Sequence, residues 1–255
     1  MDLDSFSLGA WIALYLGAFL IGLAKTGIAG LGVLFVGIFA AVLPSRESVG
    51  VVLPLLITGD VLALLIYRRH AHWKHIVRLF PWTAAGVVIG TLVLGFASDA
   101  LIARLIGGIL TILVILHFRK RWSGNRSEHL PVPDAKRPWL VSVGTGTAAG
   151  FTTMTANAAG PVMTLYLLAM RLPKENFLGT AAIFFFLLNL FKVPFHLHIE
   201  TIHTGSLHLN LYLIPAVLLG GLVGRLLLPY LKQEWFETTA LIFTIAAAIR
   251  LLVWA

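Results

Sequence analysis

Long apolar runs separated by short polar breaks account for nearly the whole chain. The runs cover residues 8–24, 28–43, 49–67, 77–97 and 100–118, then 139–151, 157–171, 177–196, 209–229 and 236–254. A helix rises about 1.5 Å per residue and a bilayer core is about 30 Å thick, so about 20 apolar residues span it. The third and fourth runs of each group of five are long enough. The first two of each group are short. They predict either short helices or a broken, re-entrant hairpin whose tip sits inside the membrane. The pattern as a whole reads as an all-α polytopic membrane protein.

The most informative break is Gly22-Leu23-Ala24-Lys25-Thr26-Gly27-Ile28-Ala29-Gly30-Leu31-Gly32. It sets one lysine among glycines inside an otherwise apolar stretch. Irregular backbone and charge at membrane depth are costly, and persist where they are buried in protein or line a cavity. A second break, Gly150-Phe151-Thr152-Thr153-Met154-Thr155-Ala156-Asn157-Ala158-Ala159-Gly160, follows about 128 residues later. Interrupted hydrophobic segments at corresponding places in two halves point to a transporter binding site.

The halves repeat. At an offset of 128 or 129, Gly22 falls on Gly150, Gly32 on Gly160, Pro44 on Pro173, Glu47 on Glu175, Asp60 on Asn189 and Gly95 on Gly224. The expected organisation is a first membrane repeat over 1–118, a cytoplasmic linker over 119–138 and a second repeat over 139–255. An odd number of segments per repeat inverts the second relative to the first.

Charge gives an independent reading of the same path. Arg68, Arg69 and Lys74 share one loop; Arg119, Lys120, Arg121, Arg126, Lys136 and Arg137 share another; Arg171, Lys174 and Lys232 fall on the same side. The other side holds Arg46 and Arg250 with Asp2, Asp4, Asp99 and Glu200. The positive-inside rule makes the first side cytoplasmic and both termini extracytoplasmic. The first hairpin then enters from outside and the second from the cytoplasm, so their tips can meet near the midplane.

Composition narrows the class. The chain of 255 residues is 58% hydrophobic and 12% charged, with mean hydropathy +0.91. Soluble domains carry about 25% charged residues. The net charge of +8 has no soluble basic face to carry it, so nucleic acid is not an expected partner. The absence of cysteine removes disulfides, thiolate metal sites and cysteine nucleophiles. The acidic start, Met1-Asp2-Leu3-Asp4, lacks the basic region of a cleaved signal peptide.

Candidate chemistry concentrates at the breaks. If a short helix begins near Ile28, its free N–H groups face the break, and Lys25, Thr26, Gly27 and Gly30 complete an anion site. The alternative for Lys25 is a lysine snorkelling to the surface. The second break offers Thr152, Thr153, Thr155 and Asn157, with Gly160 and Pro161 opening the next helix. Helix capping accounts for one or two of these polar residues, not for all of them. Asn189 and Lys192 lie one turn apart on one helix face, although Lys192 is near a segment end and could also snorkel. Asp60 is the only carboxylate well inside a span; it is a buried partner for a lysine or a carrier of a coupling proton. His70, His72 and His75, and His196, His198, His203 and His208, lack strict ligand spacing and read as interfacial residues without a metal. Gly205-Ser206 near histidines lies in a polar loop, and no paired carboxylates or phosphate loop appear, so no enzyme and no cofactor are expected.

The run Gly22-Leu23-Ala24-Lys25-Thr26-Gly27 with Gly30, Gly32 and Pro44 resembles the start of the TauE/SafE family of sulfite and organosulfonate exporters. The second half, with Gly150, Asn157, Gly160, Pro161 and Gly179 before a phenylalanine-rich span, resembles that family's second repeat. The resemblance covers essentially the whole chain and rests on loose glycine patterns. It implies secondary transport of sulfur-containing anions, usually outward across the bacterial inner membrane. The residues alone imply only a small anion. The expected function is export of sulfite or an organosulfonate by alternating access. An anion channel with the same pore, and an intramembrane enzyme or assembly factor, stay open as alternatives. The expected partners are a small anion and membrane lipids, with a homodimer left open.

Overall fold

A computed structural model describes residues 6–27, 32–122, 138–169, 172, 174–227 and 249. The N-terminal acidic residues, Gly30, the basic positions 126, 136, 137, 171, 232 and 250, and the run over 236–254 except Ile249 lie outside the described residues. Among the described residues there is no strand. The helices, in order, are α1 (Leu8–Thr26), α2 (Gly32–Val42), α3 (Ser45–Tyr67), α4 (Trp73–Phe96), α5 (Asp99–Trp122), α6 (Pro138–Ala156), α7 (Ala159–Ala169), α8 (Lys174–His198) and α9 (Thr204–Leu227). A single 3₁₀ turn, Arg68–His70, links α3 to α4.

Among the described residues, five stretches are long and apolar enough to cross a bilayer: Leu8–Thr26, Ser45–His70, Trp73–Phe96, Asn176–His198 and Thr204–Leu227. Their outward faces carry large apolar side chains such as Leu65, Val77, Phe96, Leu211 and Leu226. Lipid is the solvent that makes such a surface stable.

The first run of each half forms a longer helix than its apolar stretch predicts. Helix α1 continues through Lys25 and Thr26 to 19 residues, and α6 also has 19. Lysine is a good helix former, and a cation in the last turn faces the negative end of the helix dipole. Ser7 caps the other end, its hydroxyl accepting from the Ala10 N–H at 3.2 Å. Among the described helices, only the second of each half is short: α2 and α7 have 11 residues each, about 16 Å of rise. Lys25 therefore sits on a helix, not in the irregular tip.

Two parallel helix pairs make the most extensive contacts, α4 with α6 and α1 with α9. Glycine makes both possible. A Cβ at Gly22 would overlap the Val217 carbonyl, one at Gly220 the Phe19 carbonyl, one at Gly86 the Thr147 carbonyl and one at Gly150 the Thr83 carbonyl. Lipid tails are as apolar as leucine, so membrane helices associate through close packing, and small residues let backbones approach. Gly86 and Gly90, Gly146 and Gly150, and Gly220 and Gly224 each lie four residues apart on one face. Each half thus lends its first helix to the other half's fourth. Helix α3 packs on both α8 and α9, at the centre of the described bundle.

Candidate functional site

The interior of α3, α6 and α8 carries a continuous polar chain. Lys25, in the last turn of α1, reaches Asp60 on α3, with Nζ 2.6 Å from Oδ1. Gly59 leaves room for the lysine stem, since a Cβ there would come within 2.9 Å of Lys25 Cγ. The ammonium also lies 4.5 Å from the centroid of the Phe185 ring, a cation–π arrangement. Asn189 Nδ2 donates to the other Asp60 oxygen, Oδ2, at 2.6 Å. Asn189 Oδ1 in turn accepts from Lys192 Nζ at 3.4 Å. Lys192 also donates to Asn157 Oδ1 at 2.6 Å and Thr153 Oγ1 at 3.2 Å.

Asp60 and Lys192 are both fully buried, and Lys25 keeps 14% side-chain exposure. Snorkelling therefore describes neither lysine. Lys192 has no ion pair with a carboxylate among the described residues; its partners are neutral oxygens. An isolated charge out of water is expensive, and is retained in membrane proteins where function uses it. With every group ionised, the two lysines and one carboxylate carry a net charge of +1.

The second break is shaped by Asn157. Its φ of 50° turns the chain between α6 and α7, a left-handed conformation that asparagine tolerates well. Its side-chain amide donates to the Val49 carbonyl at 2.9 Å, which leaves the amide oxygen free for Lys192. One residue thereby ends α6, anchors it to α3 and receives the buried lysine.

The remaining sequence-selected residues have other contacts. The Thr26 hydroxyl donates to the Gly221 carbonyl at 2.8 Å and the Gly22 carbonyl at 3.1 Å, tying α1 to α9. The Thr26 carbonyl accepts from the Tyr67 hydroxyl at 2.6 Å. Thr155 donates back to the Phe151 carbonyl at 2.9 Å, within its own helix. Gly27 ends α1, its N–H donating to the Leu23 carbonyl at 3.2 Å. Gly160 has open space where a Cβ would stand.

A cavity of about 70 Å³ opens onto the Lys25–Asp60 pair. Apart from that pair its lining is apolar, with Met163, Leu167, Phe177, Ala181 and Phe185 among it. Phe177 and Ala181 belong to the first turns of α8, so the cavity lies toward the end where α8 begins. Lys192 lies beyond it, further along α8, with Asn157 against its ammonium.

Several of these residues carry no signal at the level of sequence pattern. Phe185 is one phenylalanine among several in its run, and Met163 and Leu167 look like ordinary lipid or core residues. Gly59 had a signal, a glycine directly before the one intramembrane carboxylate. His196 departs from the interfacial reading: it is fully buried, and its Nδ1 lies 2.7 Å from Thr201 Oγ1. Thr201 also packs on Gly50, where a Cβ would overlap its carbonyl. The corner between α8 and α9 is thus clamped against α3. Among the described residues no group of three or more His, Asp or Glu side chains is placed to hold a metal ion.

Apolar helices of spanning length around a buried cluster of ionisable side chains define a multi-pass helical membrane protein with a charged interior. The chain belongs to the sulfite exporter TauE/SafE family, whose model matches residues 14–251. That is a family of membrane transporters, not of enzymes. Neither the comparison with curated proteins nor that with solved structures returned a match.

Proposed function

We propose that the chain exports a small, singly charged sulfur oxyanion, sulfite in its monoanionic form or an organosulfonate, by alternating access. The observation that carries this reading is one buried carboxylate, Asp60, set between two lysines: part-buried Lys25, which pairs with it directly, and fully buried Lys192, which is linked to it through the Asn189 amide. A monoanion entering the site neutralises the excess positive charge, and low local polarity strengthens that attraction. Lys25 is the first contact, at the cavity. Lys192, with Thr153, Asn157 and Asn189, forms the deeper part of the site. Gly27, Thr26, Thr155 and Gly160 shape the two breaks around it.

Alternating access fits two inverted repeats, over 1–118 and 139–255, joined by the basic linker of 119–138. The parallel pairing of α1 with α9 and α4 with α6 agrees with that inversion, because each first helix then runs the same way as the other repeat's fourth. With the basic turn at Arg68–His70 in the cytoplasm, the cavity opens inward, as an exporter waiting for substrate requires. Both termini then lie outside the inner membrane. An inside-negative potential of 100 mV favours anion export by about 2.3 kcal/mol per charge, so a uniporter suffices.

The test is flux of labelled sulfite and labelled methanesulfonate in proteoliposomes, wild type beside Lys25→Ala, with an imposed potential. Saturable flux, stimulated by unlabelled substrate on the far side and lost in Lys25→Ala, is the expected result. Flux without counterflow would replace the carrier with a channel. Flux of neither anion would remove the substrate assignment.

A further inference from the structure

Asp60 lies between two lysines and touches them differently. Its Oδ1 is 2.6 Å from Lys25 Nζ, while its Oδ2 is linked to Lys192 through the Asn189 amide, which donates to Asp60 at 2.6 Å and accepts from Lys192 at 3.4 Å. Only Lys25, of the two lysines, faces the cavity. We propose that Asp60 is an internal anion: it occupies Lys25 while the site is empty, and shifts toward Lys192 when a substrate oxyanion takes its place. This rests on the reading of Lys25 as the anion contact.

The argument is one of charge balance. An anion that displaces a buried carboxylate from its only cation would strand that carboxylate, which is strongly unfavourable. Here a second cation waits beyond one amide group, held among the described residues by the neutral oxygens of Asn157, Thr153 and Asn189. Displacement therefore exchanges one ion pair for two, Lys25 with substrate and Lys192 with Asp60. The reverse movement has a use as well. When Asp60 returns to Lys25 it competes with the bound anion and drives its release. A site with two lysines and no such competitor would hold its anion and turn over slowly.

The apparent affinity follows from occupancy. If Asp60 covers Lys25 about 90% of the time, the substrate binds roughly tenfold more weakly than to a free Lys25. Removing the carboxylate charge should then tighten binding and slow turnover together. A role confined to holding the fold would do neither; its loss would weaken binding or unfold the protein.

The experiment measures equilibrium binding and counterflow of radiolabelled sulfite by the purified full chain. In Asp60→Asn the dissociation constant is expected to fall about tenfold, with saturated counterflow at least about tenfold slower. Unchanged or weaker binding in a folded Asp60→Asn protein overturns the proposal. Should that variant fail to fold, Asn189→Asp gives the converse test. A second carboxylate there balances the charges and occupies Lys192, leaving Asp60 no vacant partner. Sulfite binding is then expected to weaken at least about tenfold, and unchanged affinity overturns the proposal. Lys25→Ala separates the two readings. If it binds sulfite as the wild type does, the anion contact itself is wrong and the internal anion falls with it. If it abolishes binding while Asp60→Asn leaves affinity and turnover unchanged, only the internal anion is lost.

Discussion

Lys25 Nζ and Asp60 Oδ1 stand 2.6 Å apart in the interior, one at the end of α1 and the other at the middle of α3. Removing one partner of a buried pair leaves the other charge uncompensated, at a cost of about 3–5 kcal/mol. Lys25→Ala should therefore destabilise the protein by that order. Adding Asp60→Asn in the same chain should restore most of the loss, because the stranded charge is gone. Thermal unfolding of the two variants in detergent checks this. Additive losses would show that the pair is not coupled.

Lys192 differs because its partners are neutral. Lys192→Met removes the charge and keeps a flexible apolar stem of similar length. Asn157 Oδ1 and Thr153 Oγ1 each lose a donor, which costs about 1–3 kcal/mol, while the desolvation penalty of the ammonium disappears. Stability should change by less than about 2 kcal/mol. Anion flux should fall to background, since the site then carries no excess positive charge. A folded Lys192→Met protein with normal flux would remove the deeper half of the proposed site.

The glycine seams predict a contrast between two similar substitutions. Gly22→Ala puts a methyl group into the Val217 carbonyl, between backbones that cannot give way cheaply. Overpacking of this kind costs about 1–3 kcal/mol, and the α1–α9 pair should separate before the rest unfolds. Gly144→Ala has nothing within 4 Å of the added atom. It should be neutral or should stabilise α6 by up to about 1 kcal/mol, through helix propensity alone. Equal effects at both positions would contradict the close approach at Gly22.

The helices are legible in the sequence because each is an apolar run closed by polar residues, and lipid rewards that composition directly. Their ends are less so. The apolar run stops at residue 24, but α1 continues because Lys25 finds a carboxylate on α3, a contact 35 residues away that no local pattern encodes. The break at Asn157 is visible as a polar cluster, yet its link to Lys192 depends on how α6 and α8 meet. Thr26 illustrates the opposite case. Beside a lysine in a glycine-rich stretch it reads as a ligand, whereas its hydroxyl proton serves the α1–α9 contact. Spacing of four between glycines marks a seam, but the partner of each seam emerges only from the fold.

Accessibility can test which way the cavity faces, and the cysteine-free chain makes it simple. His72→Cys lies in the exposed turn between α3 and α4, Glu200→Cys in the exposed corner between α8 and α9, and Ala181→Cys on the cavity wall. A membrane-impermeant maleimide should label His72→Cys from the cytoplasmic face only and Glu200→Cys from the outer face only. Ala181→Cys should follow His72→Cys, because the cavity lies toward the start of α8. Methanesulfonate is the suitable protectant, since sulfite itself adds to maleimides. Saturating methanesulfonate should slow the labelling of Ala181→Cys and leave His72→Cys unaffected. Protection that persists in Lys25→Ala would mean that the anion occupies the cavity without using the lysine at its base. Labelling of Ala181→Cys from the outer face alone would reverse the orientation, and the structure would then represent the state that releases substrate.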